Sequence, residues 1–561
     1  MILLFTHLFY WWIIIILTLT GIIANLKFLN NLKQDLLSLN IFHSPNAQIK
    51  YSFAAILISI QTAIILFAAS TPPYFYDSMV YHLAMPAKYL QYHSFFYYPD
   101  IFFTSFPMNM SLFFAVPLAF KTDMATQIIN VIFILMTALT IIEFCTHYFS
   151  KKTAAWASVL FLTTPLASLS AFIPAVEPSL TFYSLISFLL FLHYIHSKHS
   201  QFLILSGVAA GIALGIKYTH AAYLLMILFF LIPFFPKTWS YKTRLITIFK
   251  LLIIFMLVFA PWMLKNLVIH ADPLYPYFSK FSSSSAEIIY QLAPKANFST
   301  LLKHYLLTPI YMNFKTMGAA GILGPFFIIL LPWLIAGSRK QHYFFKLLLV
   351  SSISGIITFA ITIHWLRLFL PIVPLMCILY ALALFNNQNN LLEKTAKYAA
   401  YLVISFNILT LLVHVQNFGL YTYAFGSAQK NEFLPRLVEY YPAAKFLDRN
   451  SPDMGILLIG ESRTYYFKQT CFPHFPPERP ITVEKWLARS DSIQQFLEIL
   501  KKNNIKLVLF NNHRISLTIH DAPISDFFHV SEPARTILDE FMTLHLLPVH
   551  SDDFYSLYKI K

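Results

Sequence analysis

Charged residues are scarce in this chain. Only 12% of its 561 residues are Asp, Glu, Lys or Arg, whereas 57% are hydrophobic and 17% are aromatic. Soluble globular domains average about 25% charged residues, so this composition excludes a wholly soluble protein. Cysteine is scarce as well, because Cys145 and Cys377 fall in apolar segments and Cys471 stands alone near the C-terminus. We therefore expect no intrachain disulfide.

Long apolar segments are abundant instead. A hydrocarbon core about 30 Å thick requires about 20 apolar residues per helix, and about a dozen segments approach that length. They lie near residues 3–24, 51–70, 124–147, 153–171, 179–196, 202–216, 219–235, 247–264, 318–336, 347–365, 368–385 and 399–416. The first lacks the basic start and the cleavage site of a signal peptide, so we predict a retained helix. The sequence thus predicts a polytopic α-helical membrane protein with about 12 transmembrane helices.

Lysine and arginine occur in alternate loops between these segments, and the positive-inside rule assigns such loops to the cytoplasm. The loops carry Lys27, Lys33, Lys50, Lys151, Lys152, Lys198, Lys237, Lys242, Arg244, Lys250, Arg339, Lys340, Lys346, Lys394 and Lys397. The N-terminus, the loop after residue 70, the turn at Glu177, the segment 265–317 and everything after about residue 417 then lie outside, in the periplasm of a bacterial inner membrane. This distribution explains most of the net charge of +15 and lacks the basic stripe of a nucleic-acid surface.

The composition changes after about Gly419, where Asp, Glu, Asn and Arg become frequent. Residues 455–460 (GILLIG), 506–511 (KLVLFN) and 554–559 (FYSLYK) are predicted to form strands, and residues 490–503 an amphipathic helix. We predict a C-terminal soluble α/β domain with a partly parallel sheet. It contains no glycine-rich phosphate loop, CxxC pair or HExxH motif, so we assign it no chemistry.

Asp77 opens the stretch YDSMVYHL on the predicted exterior surface, after the apolar segment 51–70. Apolar residues recur at helical spacing from Ser78 to Tyr92, which predicts an interfacial helix. Two roles follow for the carboxylate. It caps the helix by accepting free backbone N–H groups, or it acts as a general base that takes a proton from an acceptor hydroxyl.

Glu177 lies in a tight exterior turn between Pro174 and Pro178. It is either a solvated turn residue or the partner of Asp77 in an acidic pair, in which one acid is the base and the other binds a metal or orients the substrate. The sequence leaves the metal open. His82, like His220 and His270, is more often a packing residue than a ligand, and no His-rich metal spacing occurs.

Three cations interrupt apolar runs on the same predicted side. They are Lys217 in GIALGIKYTH, Lys265 in PWMLKN and Arg367 in HWLRLFLP. Lys217 either binds an anion or extends its side chain to the lipid headgroups, and the sequence leaves both roles open. Together with the two acids, these cations would suit a phosphate leaving group beside a deprotonating carboxylate.

These motifs resemble those of the GT-C glycosyltransferases that use polyprenyl-phosphate-linked sugars, especially bacterial relatives of protein O-mannosyltransferases and of the lipid A aminoarabinose transferase. The resemblance runs from about residue 51 to the end. It rests on YDSMVYHLAMPAKYL, the acidic turn 173–179, GIALGIKYTH, PWMLKNLVIHADPLYPYF, RLFLPIVPL, and the tail motifs YPAAKFLDRN and ILLIGESRTYY.

The resemblance implies three parts. Residues 1–50 hold an extra N-terminal transmembrane helix and a cytoplasmic loop. Residues 51–418 form a GT-C-like transmembrane catalytic domain with exterior loops at 71–110 and 265–317. Residues 419–561 form the exported α/β domain.

The resemblance also implies roles for individual residues. Asp77 is the catalytic base, and Glu177 matches the second acidic position. The substrate-binding residues would be Tyr81, His82, Lys217, Tyr218, Lys265 and Arg367, with the cations on the phosphate. If a divalent metal is required, Asp77 and Glu177 are its expected ligands.

The expected reaction moves a sugar from a polyprenyl-phosphate donor to an exterior hydroxyl of a lipid, glycan or protein acceptor, with inversion at the anomeric carbon. Two alternatives remain. A transporter or flippase of lipid-linked glycan would use intramembrane cations as a path and would show two related halves, which the sequence lacks. A membrane glycan polymerase or ligase would depend on an arginine pair instead of the acid in the first large loop.

Overall fold

The computed structural model of this chain is mostly helical and ends in a five-stranded sheet. The described residues are 1–27, 45–98, 101–275, 321–337, 343–361, 365–385, 390–450, 453–474, 482–519 and 530–561, with isolated positions between these ranges. The Ser282–Ser285 part of the predicted exterior loop 265–317 lies outside the described residues, as does most of that loop.

The helices of the first half follow the predicted apolar segments closely. They are α1 (Ile2–Phe5), α2 (Trp11–Ala24), α3 (Pro45–Ala69), α4 (Ala84–Tyr92), α5 (Asn109–Ala119), α6 (Ala125–Tyr148), α7 (Lys151–Thr163), α8 (Pro165–Ala171), α9 (Glu177–Ser197), α10 (Ser200–Ile216), α11 (Thr219–Leu231) and α12 (Tyr241–His270). No predicted span covers α5, which is apolar but short.

The second half continues the bundle and then leaves it. Its helices are α13 (Phe326–Ile329), α14 (Leu331–Gly337), α15 (Tyr343–Ile361), α16 (Val373–Phe385), α17 (Asn390–Asn417), α18 (Leu420–Ala424), α19 (Lys430–Phe433), α20 (Tyr441–Asn450), α21 (Thr482–Ala488), α22 (Ile493–Lys502), α23 (Asn512–Ile519) and α24 (Glu532–Leu544).

Six helices of the described chain are long and apolar enough to cross a membrane, and a seventh span results if α7 and α8 count as one. The predicted number of about 12 spans is therefore not confirmed. Several predicted spans form helices that are too short, and Pro165 shows one reason. It occupies the first turn of α8, and the chain bends by 62° between α7 and α8.

Close contact between α10 and α12 depends on glycines at every fourth position. Gly207, Gly211 and Gly215 share one face of α10. A Cβ atom added to Gly211 would lie 2.6 Å from the Cβ atom of Val258 on α12, so only glycine permits this spacing. Small residues commonly line helix contacts in membrane proteins for this reason. The contact fixes the end of α10, where Lys217 follows.

Two loops predicted to be cytoplasmic meet at one end of the bundle. Glu393 at the start of α17 accepts hydrogen bonds from Lys152 and Lys397, at 2.5 and 2.8 Å. The three cysteines are free and buried.

The C-terminal sheet has the strand order β2-β1-β3-β5-β4, and its strands are β1 (Gly455–Ile459), β2 (Cys471–His474), β3 (Ile505–Asn511), β4 (Leu546–Ser551) and β5 (Tyr555–Ile560). The pairs β1–β2 and β1–β3 are parallel, and the pairs β3–β5 and β4–β5 are antiparallel. The predicted strands β1, β3 and β5 and the predicted helix α22 are confirmed. The edge strands β2 and β4 were not expected.

Alternate residues of the central strands pack in opposite directions. Leu457 and Val508 belong to a cluster with α22 and α24. Ile456 and Leu507 belong instead to the large cluster that also contains side chains of the helical bundle. One face of the sheet is therefore covered by its own helices, and the other contacts the helical bundle through apolar side chains.

Candidate active site

Four charged side chains from distant parts of the chain meet at one place. The Arg367 guanidinium donates a hydrogen bond to Asp77 Oδ2, and its Nε lies 3.6 Å from Glu177 Oε1. The Lys217 ammonium lies 2.7 Å from the same Glu177 oxygen. We call Asp77, Glu177, Lys217 and Arg367 the charged quartet. In the order Asp77, Arg367, Glu177, Lys217, negative and positive groups alternate, and the four formal charges sum to zero.

The quartet is shielded from solvent. The Glu177 side chain is fully buried, that of Arg367 is 4% exposed, and those of Asp77 and Lys217 are each 15% exposed. Removing a charge from water costs several kcal/mol unless an opposite charge and hydrogen bonds replace the water. The pairing within the quartet provides that replacement.

Each member of the quartet lies at a helix end or a helix break. Asp77 precedes the π-helical turn Ser78–His82, and Glu177 is the first residue of α9. Lys217 follows the last residue of α10, and Arg367 lies in the 3₁₀ turn Leu366–Ile372 before α16. Such ends leave room for charged side chains that a continuous apolar helix would exclude. π-Helical turns often occur at functional sites.

The capping hypothesis for Asp77 is wrong, because its carboxylate makes no hydrogen bond to the backbone N–H groups of the turn that follows. It accepts from Arg367 and, at 3.0 Å, from the Tyr81 hydroxyl. Burial raises the pKa of Asp77, but the positive charges of Arg367 and Lys217 lower it by more, so the net pKa lies below the ordinary value. Asp77 is therefore ionised at neutral pH.

The hypothesis that Glu177 is a solvated turn residue is also wrong, because its side chain has no exposed surface. The two prolines beside it shape the turn, but the carboxylate points at cations. Its second oxygen, Oε2, accepts from the Val176 backbone N–H at 3.2 Å. The Lys217 side chain does not extend to the lipid headgroups either, because its ammonium pairs with Glu177.

Tyr81 and His82 lie next to the quartet in the π-helical turn. The His82 ring donates to or accepts from Ser111 Oγ through Nδ1, at 3.0 Å. Its Nε2 is buried and has no hydrogen-bond partner among the described residues. Burial lowers the pKa of His82 to about 3, so its imidazole is neutral. A neutral, unpaired ring nitrogen can serve as a hydrogen-bond partner for a substrate hydroxyl.

Lys265 and Tyr218 belong to a neighbouring cluster. The Lys265 ammonium donates to the Ser105 carbonyl and lies 5.2 Å from the centre of the Trp262 ring. The Tyr218 hydroxyl accepts from Asn266 Nδ2 at 2.8 Å. None of the contacts found among the described residues joins Lys265 to the quartet.

The quartet does not fit a divalent metal ion in this arrangement. Both carboxylates, the expected ligands, already face a guanidinium or an ammonium at ion-pair distance. No group of three or more His, Cys, Asp or Glu side chains suited to a metal occurs in the described part of the chain. A metal at Asp77 and Glu177 would first have to displace the two cations.

Sequence reasoning missed one contact of this site. The turn that follows β1, Glu461–Tyr466, touches the helical turn of Asp77, and the Thr464 N–H donates to the Met79 carbonyl at 3.0 Å. The motif ESRTYY gave no signal for this contact, because backbone hydrogen bonds leave little trace in a sequence.

Residues 106–264 match the protein family described as dolichyl-phosphate-mannose-protein mannosyltransferase. In fold, the chain is similar to ArnT from Cupriavidus metallidurans bound to undecaprenyl phosphate, with a TM-score of 0.55, 12% identity, and coverage of 91% of this chain and 98% of that one. The apo state of the same protein gives the same values. The chain resembles the GT-C glycosyltransferases.

These matches confirm the resemblance to the GT-C glycosyltransferases that the sequence motifs predict. The matched segment 106–264 includes Glu177 and Lys217 but neither Asp77 nor Arg367. At 12% identity, the likeness to ArnT shows the fold alone. AglB, an oligosaccharyltransferase from Archaeoglobus fulgidus, covers 91% of this chain and 74% of its own at 11% identity, but its TM-score of 0.48 is too low to support an argument. No curated protein matches the chain in sequence.

Proposed function

We propose that this protein is an integral membrane glycosyltransferase, which moves a sugar from a polyprenyl-phosphate-linked donor to an acceptor hydroxyl. The observation that carries the proposal is the charged quartet, in which two carboxylates and two cations share one buried place on a GT-C-like fold. The ArnT structure contains undecaprenyl phosphate, which makes a lipid phosphate the natural ligand class for this chain too.

In the proposed reaction, Asp77 accepts the proton of the acceptor hydroxyl. The hydroxyl oxygen attacks the anomeric carbon while the bond from that carbon to the phosphate oxygen breaks. The leaving polyprenyl phosphate takes the electron pair, and the configuration of the anomeric carbon inverts. A positioned general base of this kind contributes about 10²- to 10⁴-fold in rate.

Lys217 and Arg367 hold the phosphate in this proposal. Arg367 Nη1 is buried and has no hydrogen-bond partner among the described residues, so it has a donor available for an anionic oxygen. Charge-assisted hydrogen bonds from guanidinium and ammonium groups are the usual way to bind phosphate. The same donors stabilise the charge that develops on the leaving oxygen.

Donor binding also activates Asp77. Arg367 lowers the pKa of this carboxylate, whereas burial raises it. When the guanidinium turns toward the donor phosphate, the effect of burial remains and the pKa of Asp77 rises. The carboxylate then becomes a stronger base only after the donor is in place.

Glu177 keeps the cations in position through its contacts with Lys217 and Arg367. Tyr81 and His82 orient the acceptor, and Tyr218 and Lys265 lie farther along the donor site. We place the active site and the C-terminal α/β domain on the exterior side of a bacterial inner membrane, as the positive-inside rule predicts. The three-part division at residues 50 and 418 belongs to the same proposal.

The test uses membranes that contain the wild-type protein, Asp77→Asn or the control Glu393→Gln. Glu393 also pairs with cations, Lys152 at 2.5 Å and Lys397 at 2.8 Å, and none of the contacts found among the described residues joins it to the quartet. Labelled polyprenyl-phosphate sugars are added with native membrane extract as the source of acceptor, and the release of free polyprenyl phosphate is followed. We expect release by the wild type and the control, and a loss of about 10²-fold or more in Asp77→Asn.

Equal release by Asp77→Asn, at equal abundance of folded protein, would show that Asp77 is not the base. If the wild type released no polyprenyl phosphate from any donor, glycosyl transfer would be refuted and a transporter of lipid-linked glycan would be favoured.

A further inference from the structure

The turn that follows β1 contacts the chain on both sides of Asp77. We call Glu461–Tyr466 the docking segment. The Thr464 and Tyr465 N–H groups both donate to the Met79 carbonyl, at 3.0 and 3.2 Å. The Ser462 hydroxyl lies 2.8 Å from the Tyr76 hydroxyl. The docking segment therefore holds the residue before Asp77 and the residue two positions after it.

A further hydrogen bond anchors the chain that leads into this turn. The Tyr466 hydroxyl donates to the Pro73 carbonyl at 2.6 Å. Farther along, the Lys88 ammonium on α4 donates to the Gln469 carbonyl at 3.3 Å. The contacts thus extend along the exterior loop from residue 73 to residue 88, with Asp77 inside that range.

Arg463 holds the docking segment in shape. Its Nε and Nη2 donate to the two oxygens of Glu461, at 2.9 and 2.8 Å. Nη2 also donates to the Tyr555 hydroxyl on β5, at 3.1 Å, and lies 2.9 Å from Glu439 Oε2. A planar guanidinium can make several such contacts at once, whereas a lysine ammonium cannot reproduce the bidentate geometry.

This network is buried and touches the site directly. Glu461 is 2% exposed and Arg463 is 7% exposed. The Arg463 guanidinium lies over the Tyr76 ring, with its carbon 5.6 Å from the ring centre. One side chain therefore links the end of β1, the strand β5 and the residue next to Asp77.

The direction of the strands explains why this turn reaches the site. In sheets with parallel strands, the loops at the carboxyl ends of the strands form the usual ligand-binding edge. The docking segment follows the carboxyl end of the central parallel strand β1. Here the same edge of the sheet faces the helical turn of Asp77.

We propose that the docking segment positions Asp77, and that Arg463 is a positioning residue of the active site. This inference rests on the proposed function. The C-terminal domain, to which no chemistry was assigned from the sequence, then completes the active site without supplying a reacting group. A displacement of a catalytic group by about 1 Å can lower a rate by about 10²-fold, so positioning of this kind has a measurable effect.

The first experiment compares Arg463→Gln, Arg463→Lys and Phe541→Leu in the full-length protein. Phe541 lies on α24, where it is buried in the cluster that also contains Leu457 and Val508 of the sheet, and it packs edge-to-face on Phe496. No residue of the docking segment belongs to that cluster. Phe541→Leu therefore weakens the same domain without touching the contact. We expect Arg463→Gln to lower kcat for polyprenyl phosphate release about 10- to 100-fold with KM for the donor little changed.

Arg463→Lys should recover part of the lost kcat, because it keeps the charge but not the bidentate contact. Phe541→Leu should retain the wild-type kcat per folded molecule. Wild-type kcat in Arg463→Gln, or an equal loss in Phe541→Leu, would overturn the inference.

The second experiment tests the contact itself with Tyr76→Phe, Ser462→Ala and the double variant. If the two hydroxyls act as a pair, the double variant loses no more kcat than the worse single variant. Losses that multiply would contradict a shared positioning role.

Hydrogen exchange gives a readout that does not depend on activity. Backbone amides of residues 76–84 should exchange about tenfold faster in Arg463→Gln than in the wild type and in Phe541→Leu, because the docking segment no longer holds that turn. Unchanged exchange would overturn the inference even if no donor were known. Failure of the wild type to release polyprenyl phosphate would instead refute the proposed function, so the two failures are distinguishable.

Discussion

Replacing Arg367 with glutamine tests the central contact of the charged quartet. The guanidinium pairs with Asp77 and lies 3.6 Å from Glu177, and its side chain is 4% exposed. Glutamine keeps part of the volume and the hydrogen-bonding capacity but removes the charge. Asp77 then loses the cation that lowers its pKa, while Glu177 keeps Lys217 at 2.7 Å.

The expected loss of stability is large. Two unit charges 3.6 Å apart attract by about 5 kcal/mol at an effective dielectric constant of about 20. Part of this attraction is offset by the cost of burying the guanidinium, which the variant no longer bears. Removing one partner of a buried ion pair typically costs about 3–5 kcal/mol, because the other charge stays buried without compensation. We expect a loss of this size in the free energy of unfolding.

The pH dependence has a definite sign. In the wild type, the pKa of Asp77 is below its ordinary value, so its stabilising contribution is present above about pH 4 and is lost as the pH falls through the lower folded value. In Arg367→Gln, burial remains and raises the pKa of Asp77. The carboxyl group then takes up a proton at a higher pH, which removes the uncompensated charge. The stability deficit of the variant should therefore shrink as the pH falls toward about 4.

The assay is thermal or chemical unfolding in detergent micelles at several pH values, with Asp77→Asn/Arg367→Gln as the companion variant. Removing both charges should cost less than the sum of the two single changes, because neither charge is left alone. Additive losses, or an Arg367→Gln protein as stable as the wild type, would refute the buried-pair reasoning. A deficit that grows toward low pH would refute the assigned direction of the Asp77 pKa.

Two further predictions concern the helices beside the quartet. Gly215→Ala should lower the free energy of unfolding by about 1–3 kcal/mol, because the new Cβ atom would lie 2.1 Å from Asn109 Nδ2. The Asn109 side chain is held by a hydrogen bond from the Trp262 indole, at 2.7 Å. A variant that unfolds like the wild type would show that Asn109 moves freely. Lys265→Met should lower donor turnover by less than about tenfold, or 1.4 kcal/mol, since the ammonium contacts the Ser105 carbonyl and not the quartet that holds the phosphate in the proposed reaction. A larger loss at equal abundance would show that Lys265 binds the donor phosphate directly, together with Lys217 and Arg367.

The charged residues of the site could be predicted because charge is costly in an apolar context. Each of Asp77, Glu177, Lys217 and Arg367 interrupts or borders an apolar run, and such interruptions rarely persist without a role. Their mutual contacts could not be predicted. Arg367 lies 290 positions after Asp77, and no local pattern shows that one guanidinium faces two carboxylates.

Some strands could likewise be predicted from the local sequence, whereas others could not. The central strand β1 is a continuous apolar run, and β3 contains the apolar run Leu507–Phe510, so the sequence shows both directly. The edge strands β2 and β4 each contain a proline, Pro473 and Pro548, and proline counts against a strand in sequence-based reasoning. Edge strands tolerate it because one side of their backbone pairs with no neighbour, and that position is known only once the sheet is formed.

The predicted number of spans is not confirmed for a related reason. Hydropathy shows which segments are apolar, but it does not show where a helix ends within them. The break at Thr164, before Pro165, was not predicted, and the predicted break at Lys217 leaves helices shorter than the hydrocarbon core on both sides. The break at Lys217 also brings a charged group to the end of a helix, so a feature that shortens the helices contributes to the candidate site.

The alternation of charge in the quartet fits the movement of charge in the proposed reaction. At the start, the negative charges are on Asp77, Glu177 and the donor phosphodiester. At the end, Asp77 carries the acceptor proton and the leaving phosphate carries a second negative charge. The net charge of the site is therefore the same before and after transfer, while one negative charge has moved from Asp77 to the phosphate. Arg367 contacts Asp77 and also has an unpaired donor, so it can follow that charge without leaving the site. A cation fixed on the phosphate alone would stabilise the transferred charge only after it reaches the phosphate, whereas in this proposal Arg367 stabilises that charge at both ends of its path.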